Sequence, residues 1–240
     1  MEVYLDSLDE RYMWEYLKGY ADYSPVAISP QVEQIIAEET PRILAHAEPR
    51  AKIKRLKIAA RKREGVLMED GTFFRSIVFS LHCRNAEELV MIACTIGGWF
   101  DEEVDRILAR GEPTRGFIFN ALGSAAVETV GELMTQNVYR QERLRRNKCG
   151  LRYSAGYADF TLQQQRRIFE LIEPEELGIH LSEYFIISPV KSITAFIPVG
   201  PNVVEDKYPC EICDKCNVYE CHHIHEAEKA GLMAEALEAG

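Results

Sequence analysis

The stretch from Thr95 to Asn147 narrows the choice of fold more than any other part of the chain. Trp99, Phe100, Val104, Ile107 and Leu108 recur at helical spacing, and Phe117, Ile118, Leu122, Ala126, Val130 and Leu133 form a second stripe. Gly111-Glu112-Pro113 separates them, so the pattern predicts two packed helices with a tight break between. Elements on either side are shorter. Ile53, Leu56 and Ile58, then Val66-Leu67-Met68, a Glu69-Asp70-Gly71 turn and Phe73-Phe74 read as strands around a tight turn, with Ile77-Val78-Phe79 extending the sheet. The pattern mixes long helices with short strands.

The remaining punctuation fills in this outline. Residues 12–20 carry a short helical pattern, and Ser29-Pro30 reads as an N-cap with Pro in the first turn of a second helix that Pro41 interrupts. Asn85 is expected to cap a helix through Glu88 and Ile92. After Gly150 come a glycine-containing loop and a helix over Leu162 to Ile172 that Pro174 ends. Tyr184 to Ile187 and Ile193 to Ile197 follow as strands buried on both faces. Residues 200–209 read as a linker, and the Ala/Glu-rich stretch from Glu226 to Gly240 as a terminal helix. The expected organisation is one domain over 1–200 and a cysteine-rich appendage over 201–240.

Apolar residues make up 47% of the sequence, enough to fill a sizeable core. Met1 to Glu10 is acidic where a secretory leader is basic, and no apolar run reaches the roughly 18 residues of a membrane span, so a soluble cytoplasmic protein is expected, with no membrane partner. The net charge of −10 argues against nucleic acid as the main partner. Basic residues nevertheless crowd the segment 42–63, where Arg50, Lys52, Lys54, Arg55, Lys57, Arg61, Lys62 and Arg63 face only Glu48 and Glu64. That segment reads either as a solvated helix face or as a docking surface for an acidic protein or a cofactor phosphate.

Seven cysteines in a cytoplasmic chain do not imply a disulfide framework. Cys83, Cys94 and Cys149 are scattered and read as small apolar residues. Cys210, Cys213, Cys216 and Cys221 form a cluster of four soft ligands within a dozen residues. Their near-even spacing suits a [4Fe–4S] cube wrapped by one loop, with zinc as the alternative. The neighbouring His222, His223 and His225 are then spare, because four thiolates complete either site.

Arg152-Tyr153-Ser154-Ala155-Gly156-Tyr157 suits a ligand that carries both a carboxylate and an aromatic base. Arginine offers a planar bidentate donor, glycine lets the main chain approach closely, and tyrosine offers a stacking face. The order of this loop, then Leu162 to Glu170, Glu173 to Glu183, Ile187-Ser188-Pro189 and Lys191-Ser192-Ile193-Thr194-Ala195 resembles the S-adenosylmethionine-binding activation domain of cobalamin-dependent methionine synthase. Ala93 to Gly97 and Asn120 to Glu128 are similar to the free-standing branch of that family, and the likeness spans roughly residues 12–200.

The resemblance implies a C-shaped α+β domain with a twisted antiparallel sheet flanked by helices. It assigns S-adenosylmethionine contacts to Arg152, Ala155, Gly156 and Tyr157, and places Glu128 against the ligand's amino group. No side chain is expected to act as a catalytic acid, base or nucleophile, because the sulfonium is already activated and positioning suffices. Lys191 and Ser192 read as a structural turn. The implied function is reductive methylation of inactive cob(II)alamin on a partner methionine synthase, with cobalamin carried by that partner and electrons from a flavodoxin- or ferredoxin-like donor. An activator of another corrinoid methyltransferase system, or a non-catalytic metal-dependent docking module that binds the same ligand, are the alternatives. The residues after Gly156-Tyr157, Ala158 to Gln163, depart from the fused enzymes, where a Pro/Cys-containing stretch and a histidine follow.

Overall fold

A computed structural model describes residues 29–203, together with Leu5, Ser7 and Leu8. The helix expected over 12–20, the linker beyond residue 203, the cysteine quartet with its histidines and the terminal helix lie outside the described residues.

The elements run α1 (Pro30–His46), β1 (Arg50–Lys62), β2 (Gly65–Met68), β3 (Phe73–Arg75), α2 (Ile77–His82), β4 (Glu88–Thr95), α3 (Trp99–Ala109), α4 (Pro113–Leu144), β5 (Lys148–Cys149), α5 (Gln165–Ile172), β6 (His180–Leu181), β7 (Ile187–Ser188) and β8 (Ser192–Gly200). Short 3-10 turns cover Leu162–Gln164 and Pro174–Leu177. Six strands form one sheet in the order β3-β2-β1-β4-β8-β5, while β6 and β7 make a separate hairpin. The β1–β2, β2–β3, β5–β8 and β6–β7 pairs are antiparallel. The mix of helices and strands was legible in the apolar periodicity, while the antiparallel sheet was implied by the resemblance.

The chain divides into two compact units, the first covering residues 1–54, 92–137 and 168–194 and the second residues 55–91, 138–167 and 195–240. In the first, Ser29 caps α1 by accepting from Val32 N at 3.3 Å, with Pro30 at the start of the helix. The helix was expected to break at Pro41, yet it continues to His46. Glu39 and Arg42 flank the proline and are tied together at 2.6 Å; Arg42 reaches Glu103 at 2.8 Å, and Arg115 pairs with both Glu39 and Glu38. These ties, with Ile35 and Ile43 buried on the same helix, outweigh the one helical hydrogen bond a proline removes. Burial alone would raise the Glu103 carboxyl, but hydrogen bonds from Arg42 and Arg106 hold it below the ordinary range.

The first unit also contains the start of the basic run, and here the expected helix face is corrected: residues 50–62 are a strand. Lys52 meets Glu176 at 2.7 Å, Lys54 donates to the carbonyl of Leu171, and Arg50 pairs with Glu48 at 3.0 Å. The two long helices are present with their expected break, but their stripes are cut short at the edges. Phe100, Ile107, Ile118, Leu122, Ala126 and Val130 are buried, whereas Leu108, Phe117 and Leu133 are exposed. Tyr184 and Ile186, read as part of a buried strand, instead sit exposed at the turn of the β6–β7 hairpin, where Phe185 adopts φ +62°. A left-handed residue ends a ladder, so only Ile187 and Ser188 pair.

Two further corrections fall in the second unit or begin there. Ile77-Val78-Phe79 open a helix, not a strand, because Ser76 caps it through Phe79 N at 2.8 Å. Asn85 does not start a helix; it turns at φ +61° into β4, whose residues Leu89 to Thr95 are all buried. A run buried on both faces has the continuous apolar character of a central strand, and helical spacing within it is coincidental. In the second unit's core, Phe79 stacks on Phe160 with centroids 4.6 Å apart, and Phe74 meets Phe196 edge-on at 5.0 Å. Burial pushes the Cys83 thiol far up despite the nearby Arg61 charge, so this cysteine is packing material, as expected.

Candidate ligand-binding site

The loop from Arg152 to Phe160 belongs to the second unit, and its shape follows from how both ends are tied. At its start, Tyr153 pairs with Phe196 of β8 through two main-chain hydrogen bonds of 2.8 Å. Its ring stacks on Phe79 at 5.8 Å and lies 4.5 Å from His82, and its hydroxyl donates to the carbonyl of Tyr157 at 3.2 Å. At its end, Phe160 is fully buried in the aromatic core.

Between these anchors Gly156 adopts φ +108°, and its N–H donates to the Phe160 carbonyl at 2.7 Å. A side chain there would be strained by the backbone and would approach the Leu162 methyl to 3.2 Å. Ala155 is buried, Gly156 exposed and Tyr157 half-buried with its ring 5.7 Å from that of Tyr153. Arg152 is half-buried and keeps its Nη1 out of solvent. A guanidinium is a planar bidentate donor suited to a carboxylate. Guanidinium, an exposed glycine main chain and an accessible tyrosine ring thus share one short turn, the donor set a carboxylate-bearing ligand with an aromatic base requires.

Asp159 is the residue that sequence reasoning passed over. Its carboxylate accepts from the hydroxyl of Ser76, from Ile77 N at 2.6 Å and from Val78 N at 3.2 Å. It therefore supplements the Ser76 cap of α2 and fastens the loop to that helix. The departure from the fused-enzyme pattern after Tyr157 thus carries a clamp of its own. Its only sequence signal was an acidic residue two positions past the glycine-tyrosine pair, too common a feature to single out.

Glu128 lies in the first unit, half-buried on α4. Ser124 and Asn120 occupy the same face of that helix one and two turns earlier, respectively. Lys191, also in the first unit, is buried and donates to Asn120 Oδ1 at 2.7 Å and Ser124 Oγ at 2.9 Å. Its carbonyl accepts from Ile96 N at 3.2 Å, and Ser192, read with it as a turn, instead opens β8 and joins Thr95 at 2.9 Å. Burial pushes the Lys191 ammonium down to about 8, opposed by the charge of Asp101. Arg152, Ala155, Gly156 and Tyr157 are brought together by one loop; Glu128 is carried by a separate unit. Cys210, Cys213, Cys216 and Cys221 lie outside the described residues. Among the described residues no group of three or more His, Cys, Asp or Glu side chains is placed to hold a metal, and no helix is long and apolar enough to cross a membrane.

A solved structure with this fold is the crystal structure of the MetH reactivation domain bound to AdoHcy, which aligns with a TM-score of 0.60 at 16% sequence identity and covers 83% of this chain and 76% of its own. No family model matches the sequence, and no curated protein matches it. At this identity the likeness establishes the fold, and the residues of the loop carry the argument about ligand.

Proposed function

We propose that the chain binds S-adenosylmethionine and serves as a free-standing reactivation module for a protein that carries a corrinoid, with a cobalamin-dependent methionine synthase as the client. The observation that carries this reading is the coincidence of two things: a reactivation-domain fold, and within it a clamped Arg152–Tyr157 loop whose groups suit the ligand's methionine and adenine ends. The MetH reactivation domain was captured with AdoHcy, which is what S-adenosylmethionine becomes on losing its methyl group.

Arg152 would hold the ligand's carboxylate through its guanidinium. The main chain at Ala155 and Gly156 would approach the ligand closely, and Tyr157 would lie along the adenosine. These contacts bind and orient; they leave the sulfonium methyl facing outward, and positioning is the whole of the chain's contribution to the chemistry. The client's cobalamin, reduced by one electron from a low-potential donor, would supply the nucleophile that accepts the methyl group. The carbon–sulfur pair returns to sulfur, releasing neutral AdoHcy. The cysteine quartet at 210–221 remains, on its spacing alone, a candidate [4Fe–4S] or zinc centre, the former able to supply that electron.

The test is to incubate the full chain with methyl-labelled S-adenosylmethionine, a methionine synthase holding cob(II)alamin and titanium(III) citrate as reductant. Label is expected on the corrinoid at a rate that depends on the chain and falls by roughly a hundredfold with Arg152→Ala, the loss of one charge-assisted hydrogen-bonded pair. Label transfer that is indifferent to the chain would refute the proposal.

A further inference from the structure

Charge is spread very unevenly over this molecule. The described residues of the first unit contain 8 Lys/Arg against 16 Asp/Glu, and those of the second contain 15 against 7. The described residues of the second unit are thus positive by eight within a chain of net charge −10. The basic side chains of that unit are concentrated where the strand register puts them. Lys62 pairs opposite Gly65, and Gly65 opposite Arg75, so Arg61, Lys62, Arg63 and Arg75 gather at one end of the β1–β2–β3 ladder. Arg167 joins them by donating to the Phe73 carbonyl at 3.1 Å, while the Lys62 ammonium stands 6.0 Å over the Phe73 ring.

All five cations are exposed, and none is ion-paired with a described carboxylate. The contrast with β1 itself is informative, because Arg55, in the same unit, is matched by Glu88 at 3.1 Å and by the buried Glu142. Like charges held close together repel, so an acidic surface that settles on this edge relieves that repulsion.

This edge adjoins the candidate ligand loop. Ser76, the residue after Arg75, donates its N–H to the Glu64 carbonyl at 3.0 Å and its hydroxyl to Asp159. Ile77, whose N–H also binds Asp159, is 45% exposed, and Leu162, which packs under Gly156, is 48% exposed. Apolar side chains beside the loop with a rim of cations around them have the composition of a protein interface, with charge setting orientation and encounter rate.

We propose that the basic edge formed by Arg61, Lys62, Arg63, Arg75 and Arg167 docks an acidic surface of the corrinoid-carrying protein and holds it against the 152–160 loop. This rests on the functional reading above. A methyl donor bound at that loop can be reached by a corrinoid only if the corrinoid's protein settles on what surrounds the loop, and what surrounds it on this side is positive.

The experiment uses the full chain, a cob(II)alamin-loaded methionine synthase and titanium(III) citrate, and compares wild type with Arg63→Glu/Arg75→Glu. The KM for the corrinoid protein is expected to rise about tenfold or more, with kcat and affinity for S-adenosylmethionine within about twofold, as befits a rim that governs encounter. Wild-type KM should climb steeply between about 50 and 300 mM salt, and the double variant's much less. The milder Arg63→Gln/Arg75→Gln should show the same changes at smaller size, and Arg146→Glu/Lys148→Glu, equally exposed in the same unit, should leave KM unchanged. An unaltered KM in the first variant, an equal rise in the control pair, or tighter binding of single-stranded DNA than of the corrinoid protein to this edge would overturn the proposal. Direct binding of the corrinoid protein to wild type and variants, followed by interferometry, separates the two readings: loss of S-adenosylmethionine binding by wild type sinks the function, while the affinity for the corrinoid protein still decides the docking.

Discussion

The turn around Lys191 in the first unit and the loop from Arg152 to Phe160 in the second are both irregular segments held firmly, but by opposite means. Lys191 is fixed by polar bonds: its buried ammonium donates to Asn120 and Ser124, and Gly123 gives it room, since a side chain there would come within 3.0 Å of the lysine Cε. The 152–160 loop is fixed by rings, with Phe160 against Phe79, Phe74 and Phe196, and by the Asp159 clamp on α2. Aromatic packing is indifferent to pH, whereas a buried ammonium costs free energy that varies with it. The ring packing that anchors the loop thus carries no charge, whereas the anchor of the Lys191 turn does.

The most severe way to break this comparison is Phe160→Ala. Removing a fully buried ring should cost about 3–5 kcal/mol in urea unfolding, because the cavity forfeits contacts with the rings of Phe74, Phe79, Tyr153 and Phe196. S-adenosylmethionine affinity should fall with it as the loop loses its anchor. A loss below about 1 kcal/mol would mean the rings do not hold the loop.

A smaller effect sharpens the other half. The Lys191 ammonium titrates near 8 when folded against an ordinary value of 10.5. Between those values the unfolded chain holds a proton that the folded chain has released, so this group makes stability rise with pH. The slope approaches about 1.4 kcal/mol per pH unit for one proton. Lys191→Met should flatten the pH dependence of unfolding between pH 8 and 10 relative to wild type. Parallel curves for the two proteins would show that the ammonium is not buried as described.

How much of this was readable in advance depended on whether local pattern or distant partners decided each element. The break at Gly111-Glu112-Pro113, the Ser29 cap and the strands around Gly71 are written in neighbouring residues, and they formed as read. Pro41 and residues 77–79 went the other way because their outcome rests on Arg115 and Asp159, far along the sequence. The basic run misled for a related reason: Lys52 and Lys54 find their partners more than a hundred residues away, in Glu176 and Leu171. The Arg152–Tyr157 loop was legible because arginine, glycine and tyrosine each have a distinct chemical use. The clamp that shapes it was not, since one aspartate among many gives no sign of which helix it will cap.

The most direct measurement is calorimetric titration of the full chain with S-adenosylmethionine, wild type beside Arg152→Ala. The account predicts one site of micromolar-range affinity in wild type, weakened by about 2 kcal/mol or more when the guanidinium is removed, with unfolding stability nearly unchanged. Folded wild-type protein that gives no heat of binding, or a variant that binds as tightly as wild type, would contradict it.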